Sequence, residues 1–103
     1  MRNKKKRISK LEEEIIKIID KKTRQLLEKG NSFRDKHKYE EALEYYNKAI
    51  KFDSIEAYAR KGDVLKGLNK YEEALAEYKQ GLERDKNNKE LLKAVKELEN
   101  TIG

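Results

Sequence analysis

The sequence predicts an all-α protein, and three observations lead to this prediction. Lys, Glu, Leu, Ile and Ala dominate the 103 residues, a composition typical of long helices. The chain contains no proline, the residue that most strongly interrupts a helix. A block of helix-forming residues also occurs twice, 32 residues apart, and such a period is typical of stacked pairs of short helices.

The repeated block is the six-residue sequence Lys-Tyr-Glu-Glu-Ala-Leu, at residues 38–43 and again at 70–75. Further pairs match at the same offset, namely Lys29-Gly30 with Lys61-Gly62, Tyr46 with Tyr78, and Asp53 with Asp85. So many matches in one register are poorly explained by chance. They predict two copies of one structural unit, over residues 23–54 and 55–88.

The segment before the first unit differs from the units in charge and pattern. Residues 1–7 are a basic tail, and the six basic residues among the first ten leave 20 basic and 20 acidic residues from Leu11 onward. A separate helix is predicted over residues 8–22, because their apolar residues form a stripe at helical spacing. The stripe consists of Ile8, Leu11, Ile15, Ile16, Ile18 and Ile19. This helix either caps the stack as a degenerate repeat or offers the stripe to another chain. The cap is preferred, because barely two heptads support a coiled-coil seam.

Each unit is predicted to contain two helices, because its apolar residues follow steps of three and four. In the second unit they are Tyr58, Gly62, Leu65 and Leu68, followed by Tyr71, Ala74, Leu75, Tyr78 and Leu82. The first unit has Leu26, Gly30 and Phe33, followed by Tyr39, Ala42, Leu43, Tyr46 and Ile50. Gly67 is expected to end its helix in left-handed backbone, and Asn69 to cap the next helix. The glycines are expected to let helices approach closely, with tyrosines filling the gaps beside them.

A last helix is predicted over residues 89–103, which brings the expected number of helices to six. Asn87-Asn88 is a helix-start signal. The apolar residues Leu91, Leu92, Val95 and Leu98 follow with helical spacing. One apolar face and one charged face suit a C-terminal helix that closes the stack.

The order of these residues resembles the tetratricopeptide repeat over residues 23–54 and 55–88. The shared pattern is a Leu or aromatic residue, Gly and an apolar residue on the first helix, then Tyr-x-x-Ala, an aromatic residue and Ala or Gly on the second. The resemblance implies antiparallel helix pairs stacked into a right-handed superhelix. The second repeat and the closing helix are also similar to those of tetratricopeptide-repeat co-chaperones. Ser54 and Lys86 stand where the family usually has proline.

The resemblance further implies a concave groove, lined by the first helix of each pair, that binds a peptide or protein segment. The residues expected there are Arg24, Leu27, Asn31 and Arg34, then Glu56, Ala59, Arg60, Asp63 and Lys66, with Lys93 on the closing helix. Basic side chains among them suit an acidic segment, because charge-assisted hydrogen bonds to carboxylates are strong. Asn31 and Arg60 match the carboxylate clamp of the co-chaperones, whereas Leu27 and Glu56 replace its lysines.

No residue pattern in the sequence indicates catalysis, a metal site or a cofactor, and the chain is expected not to be an enzyme. It contains no cysteine, and its only histidine, His37, is expected in a turn without a second type of ligand nearby. Glu40-Glu41 and Glu72-Glu73 lie in predicted first turns, where negative charge favours the helix dipole. No apolar run is long enough to span a membrane.

The leading expectation is therefore a cytoplasmic scaffold for protein–protein interaction. One alternative is a homodimer formed through the isoleucine-rich N-terminal helix. A second alternative is attachment to nucleic acid through Lys4-Lys5-Lys6-Arg7, although a disordered solubilising tail explains this cluster as well. Tyr45 is the aromatic residue most expected to be exposed to a partner, because its repeat counterpart is Glu77.

Overall fold

A computed structural model describes residues 9–103, which form five α-helices joined by short turns. The helices are α1 (Lys10–Asp35), α2 (Tyr39–Ile50), α3 (Ile55–Gly67), α4 (Tyr71–Arg84) and α5 (Lys89–Ile102). Each helix packs against the next along the chain, so α1 with α2 and α3 with α4 form the two helix pairs. Short connections make such neighbours antiparallel. The predicted all-α stack of two helix pairs with a closing helix is confirmed.

The separate N-terminal helix predicted over residues 8–22 is instead the first half of α1, so there are five helices in the described residues and not six. No glycine or proline interrupts the chain at this point, and Thr23 donates its hydroxyl to the carbonyl of Ile19 within the helix, at 2.8 Å. Residues 10–22, the α1 extension, are exposed throughout and therefore do not cap the stack. Ile8 and the basic tail lie outside the described residues.

Helix α1 begins at a capping box. Ser9 accepts a hydrogen bond from the backbone N–H of Glu12, and the Glu12 carboxylate accepts one from the backbone N–H of Ser9. These two bonds satisfy N–H groups that have no partner within the helix. The exposed extension therefore has a defined helical start, although it packs on no other helix.

The core depends on two equivalent contacts between a glycine and a tyrosine ring. A Cβ atom at Gly30 would lie 2.6 Å from the ring of Tyr46, and one at Gly62 would collide in the same way with Tyr78. Both rings are fully buried. The absence of a side chain on α1 and α3 thus lets the rings of α2 and α4 fit directly against their backbones, as the sequence predicted.

The turns within the helix pairs are also equivalent. His37 and Asn69 occupy matching positions and both have left-handed backbone, with φ of 60° and 64°. Each side chain is hydrogen-bonded to the tyrosine hydroxyl two residues later, at 2.7 Å from His37 to Tyr39 and 3.0 Å from Asn69 to Tyr71. Two expectations were therefore wrong: Gly67 is an ordinary helical residue, and Asn69 does not cap α4.

Helix α5 closes the C-terminal end of the stack, as predicted. Asn88 caps it by accepting a hydrogen bond from the backbone N–H of Leu91 at 3.0 Å. Leu91 and Leu98 are buried in one cluster with Ala59 and Tyr78. Leu92 points away from this cluster and is 48% exposed. The apolar face of α5 is therefore narrower than the sequence indicated.

The glycine–tyrosine contact predicts the outcome of a substitution in which helix propensity and packing oppose each other. Replacing Gly62 by Ala adds about 1 kcal/mol of helix propensity, but overpacking against Tyr78 costs about 1–3 kcal/mol. We therefore expect Gly62→Ala to lower the free energy of unfolding by up to about 2 kcal/mol, measured by urea denaturation.

Gly67→Ala is the matched control, because a Cβ atom at Gly67 would have no atom within 4 Å. Only the propensity gain applies there, so this variant is expected to be unchanged or more stable by up to about 1 kcal/mol. Equal stability of the two variants would show that the ring of Tyr78 yields without cost.

Candidate functional site

The residues predicted to line the groove occur at the same steps on two helices. Arg24, Leu27, Asn31 and Arg34 follow steps of three, four and three on α1, and Glu56, Ala59, Asp63 and Lys66 do so on α3. Such steps place side chains on one face of a helix. We call these eight residues the inner face.

The two apolar residues of the inner face, Leu27 and Ala59, belong partly or wholly to the core. Leu27 is half-buried and packs against the cluster of Ala42, Tyr46 and Val64. Ala59, its repeat counterpart, is 3% exposed and lies in the cluster that includes Leu91 of α5. Ala59 therefore belongs mainly to the core beneath α5, and the little surface it keeps contributes to the lining of a groove where α3 and α5 begin.

The polar members at the centre of the inner face are held by the core tyrosines. The hydroxyl of Tyr46 donates to Oδ1 of Asn31 at 2.6 Å, and the hydroxyl of Tyr78 donates to Oδ1 of Asp63 at 2.5 Å. Burial raises the pKa of both tyrosines, so both hydroxyls are protonated donors at neutral pH. Asn31 and Asp63 are consequently fixed in orientation before any ligand binds.

Arg60 lies beside this centre and is engaged within the protein. Its guanidinium donates to Oδ2 of Asp63 at 2.8 Å and to the carboxylate of Glu90 on α5. The side chain is 22% exposed, and within the described residues its Nε has no hydrogen-bond partner. Arg60 thus ties α3 to α5 with its charge balanced by two carboxylates. The sequence did not indicate Glu90, which is 30 residues away from Arg60.

The other basic candidates are more accessible. Arg24, Lys66 and Lys93 are exposed, and none of them forms an ion pair with another residue of the range 9–103. Arg34 is half-buried, and among residues 9–103 its one ion pair is with the exposed carboxylate of its neighbour Asp35, at 3.3 Å. Exposed pairs of this kind contribute little free energy, so Arg34 can exchange that carboxylate for one from a ligand.

Negative charge gathers at the other end of the inner face. A shallow groove of about 390 Å³ lies where α3 and α5 begin, and its lining includes the carboxyl groups of Glu56, Asp85 and Glu90. The inner face is therefore polarised. Arg24, Arg34 and Lys66 do not belong to the lining of this groove.

A second groove opens between α1 and α2, beside Tyr45, the aromatic residue that the sequence indicated for contact with a partner. It has a volume of about 660 Å³ and is lined by Lys22, Gln25, Leu26, Glu28, Lys29, Tyr45, Lys48, Lys51 and Phe52. Tyr45 stacks on Phe33 with ring centroids 5.5 Å apart, and Lys48 lies over the Tyr45 ring at 4.6 Å. Tyr45 is thus half-buried. The base of the groove is apolar, and lysine side chains surround its edge, which we call the lysine rim. We call this groove the α1–α2 groove.

The isoleucine stripe adjoins this groove along α1. Its described members, all exposed, are Leu11, Ile15, Ile16, Ile18 and Ile19. Ile8 was also predicted to belong to it and lies outside the described residues. A continuous apolar strip on an exposed helix is unusual for a soluble monomer and marks an interaction surface.

The residues 9–103 contain no group of three or more His, Cys, Asp or Glu side chains that could hold a metal ion. No helix of this part of the chain is both long and apolar enough to cross a membrane.

Comparison with known protein families identifies the helix pairs. Family models of the tetratricopeptide repeat match residues 24–54 and residues 55–88, which together make up more than half of the chain. No curated protein matches the sequence.

Removing the hydroxyl of Tyr46 and that of Tyr78 is expected to lower the free energy of unfolding by unequal amounts. Tyr78→Phe deletes a hydrogen bond to a carboxylate, a type worth about 1.5–3 kcal/mol, whereas Tyr46→Phe deletes one to a neutral amide, worth about 0.5–1.5 kcal/mol. Tyr78→Phe is therefore expected to lower the free energy of unfolding more, as measured by urea denaturation. The matched Tyr46→Phe variant is the control for loss of a buried hydroxyl, and equal losses would contradict the difference we assign to the charge of Asp63.

Proposed function

The chain belongs to the tetratricopeptide repeat family, and we propose that it is a non-enzymatic scaffold that binds an acidic segment of a partner protein on its inner face. Tetratricopeptide repeats generally mediate protein–protein interaction, and proteins built from them are typically scaffolds without catalytic activity. The finer part of the proposal, the acidity of the segment and its position, rests on the charges of the inner face.

The observation that carries the proposal is the accessibility of Arg24, Arg34 and Lys66 on the two helices of the inner face. Arg34 and Lys66 are repeat counterparts, so they offer a cation at the same place on α1 and on α3. Arginine can bind a carboxylate through two hydrogen bonds, and lysine attracts it as a point charge. Asn31, already oriented by Tyr46, adds a side-chain amide between Arg24 and Arg34.

The resemblance to the co-chaperone clamp implies that Arg60 binds a carboxylate of the partner. We propose a different role for it, within the protein. It would reach a carboxylate of the partner only by releasing Asp63 or Glu90. We infer that it holds α5 and Asp63 in place, while the partner binds through the exposed cations. The carboxylates of Glu56 and Glu90 would repel acidic residues, so the acidic end of the segment would lie on the α1 side.

The proposal predicts that charge reversal at the exposed cations weakens binding of an acidic peptide. A dye-labelled, glutamate-rich peptide is titrated with the full chain, and binding is followed by fluorescence polarisation. Arg34→Glu and Lys66→Glu are each expected to raise the dissociation constant roughly tenfold, because each replaces an attraction by a repulsion. Binding to the wild-type chain should also weaken as salt is added.

Lys96→Glu is the matched control, since Lys96 is an exposed lysine of α5 outside the inner face and is expected to have little effect. A peptide in which every glutamate is replaced by glutamine controls for the charge of the ligand. If neither Arg34→Glu nor Lys66→Glu changes the affinity, or if the glutamine peptide binds equally well, the acidic-segment proposal is wrong.

A further inference from the structure

The α1–α2 groove is the open counterpart of a surface that is covered in the second repeat. Gln25 is exposed, whereas its counterpart Ala57 is fully buried in a cluster with Leu26 and Ala49. Lys29 is exposed, whereas its counterpart Lys61 is 20% exposed and pairs with Glu77 at 3.1 Å. In the second repeat the covering element is α2, which packs on α3.

This equivalence indicates what shape of ligand fits the groove. Helix α2 has 12 residues and runs antiparallel to α3, because the connection between them is short. A ligand in the equivalent position on α1 would be a helix of about three turns, antiparallel to α1. Its apolar face would cover Leu26, Tyr45 and Phe52. In the single chain Phe52 is 43% exposed.

The chain itself contains such a helix in the α1 extension. Residues 10–22 are helical, exposed and lined with isoleucine along one face. They cannot occupy the groove of their own molecule, because they continue the same helix that forms one wall of it. We propose that the α1 extension of a second copy of this chain fills the α1–α2 groove, and that two copies exchange their extensions reciprocally.

The spacing of residues along α1 is consistent with this exchange. Leu11, Ile15, Ile18 and Lys22 follow steps of four, three and four, and Leu26 and Lys29 of the groove continue the same face. The extension and the groove therefore form one uninterrupted strip of α1. Two such strips related by a twofold axis are self-complementary, which is the property of an isologous dimer interface.

The charges of the two surfaces are complementary. The groove has a rim of four lysines and one acid, namely Lys22, Lys29, Lys48, Lys51 and Glu28. The extension carries the consecutive glutamates Glu12, Glu13 and Glu14 near its start. In the antiparallel arrangement the start of one extension lies deepest in the groove of the other copy. Glu12 lies on the same side of α1 as Ile16 and Ile19, and Glu14 borders Ile18, so both carboxylates would approach the lysine rim.

The same geometry locates the twofold axis. If residues near 11–15 face residues near 22–26 of the other copy, Ile18 and Ile19 of the two chains meet close to the axis. Ile18 is 65% exposed and Ile19 38% exposed, so in a single chain both leave apolar surface in water. Burying these side chains in the dimer is favourable, because it removes apolar surface from water.

The first test is the mass of the full chain in solution, measured by light scattering at high micromolar concentration. The wild-type chain is expected at twice the single-chain mass of 12.2 kDa. Ile15→Asp in the extension and Phe52→Asp in the groove are each expected to halve the mass, with circular dichroism unchanged because both side chains are exposed. Leu92→Asp is the matched control, since Leu92 and Ile15 are 48% and 47% exposed, and it should leave the dimer intact.

Mixing the two monomeric variants separates reciprocal exchange from other modes of association. The Phe52→Asp chain keeps an intact extension, and the Ile15→Asp chain keeps an intact groove, so a mixture retains one of the two contacts. A heterodimer weaker than the wild-type dimer is the expected result. The proposal is overturned if the mixture stays monomeric, if Phe52→Asp remains dimeric, or if the wild-type chain is a monomer and the groove is left to a helix of another protein.

Cysteine cross-linking tests the direction of the helices, because the chain has no cysteine of its own. Ile18→Cys is expected to give a disulfide-linked dimer on mild oxidation, since the two sulfurs meet near the axis. Leu11→Cys, at a similarly exposed position, should not cross-link, because its two copies lie about 20 Å apart along antiparallel helices. Cross-linking of both variants to the same extent would indicate a parallel coiled coil and would overturn the exchange.

Discussion

The contact between a glycine backbone and a tyrosine ring is the constraint on which the rest of the structure depends. Gly30 and Gly62 leave room for Tyr46 and Tyr78 at the centre of the two helix pairs. Each ring contacts the opposite backbone, and its hydroxyl donates a hydrogen bond to a polar side chain of the inner face. One residue type therefore closes the core with its ring and organises the binding surface with its oxygen atom.

The difference between Asn31 and its repeat counterpart Asp63 helps to make the two ends of the inner face unlike. The first tyrosine hydroxyl binds the neutral Asn31, whereas the second binds the acidic Asp63. The charge of Asp63 attracts Arg60, and Arg60 in turn binds Glu90 of the closing helix. The C-terminal end is consequently occupied by its own ion pairs. The first repeat keeps Arg24 and Arg34 accessible, and we propose that this asymmetry sets the direction in which an acidic segment binds.

The two ends of the stack also differ in how much apolar surface they expose. Helix α5 covers the end formed by the second repeat and buries Leu91 and Leu98. At the opposite end of the stack the first repeat leaves the α1–α2 groove open, with Phe52 exposed at its edge. Stacked repeats expose an apolar surface wherever a neighbour is missing. In our proposal the α1 extension of a second copy supplies the missing neighbour.

The sequence by itself determined the all-α class, the two helix pairs, the closing helix and the glycine–tyrosine contacts. These follow from spacing within a helix and from the repeat, both of which are local or periodic properties. Tertiary structure decided that residues 10–22 extend α1, that Ala59 is buried under α5 and that Arg60 is bound by Glu90. It also formed the α1–α2 groove from two separate helices. Such features depend on which distant residues meet, and a helical period constrains only the face on which a residue lies.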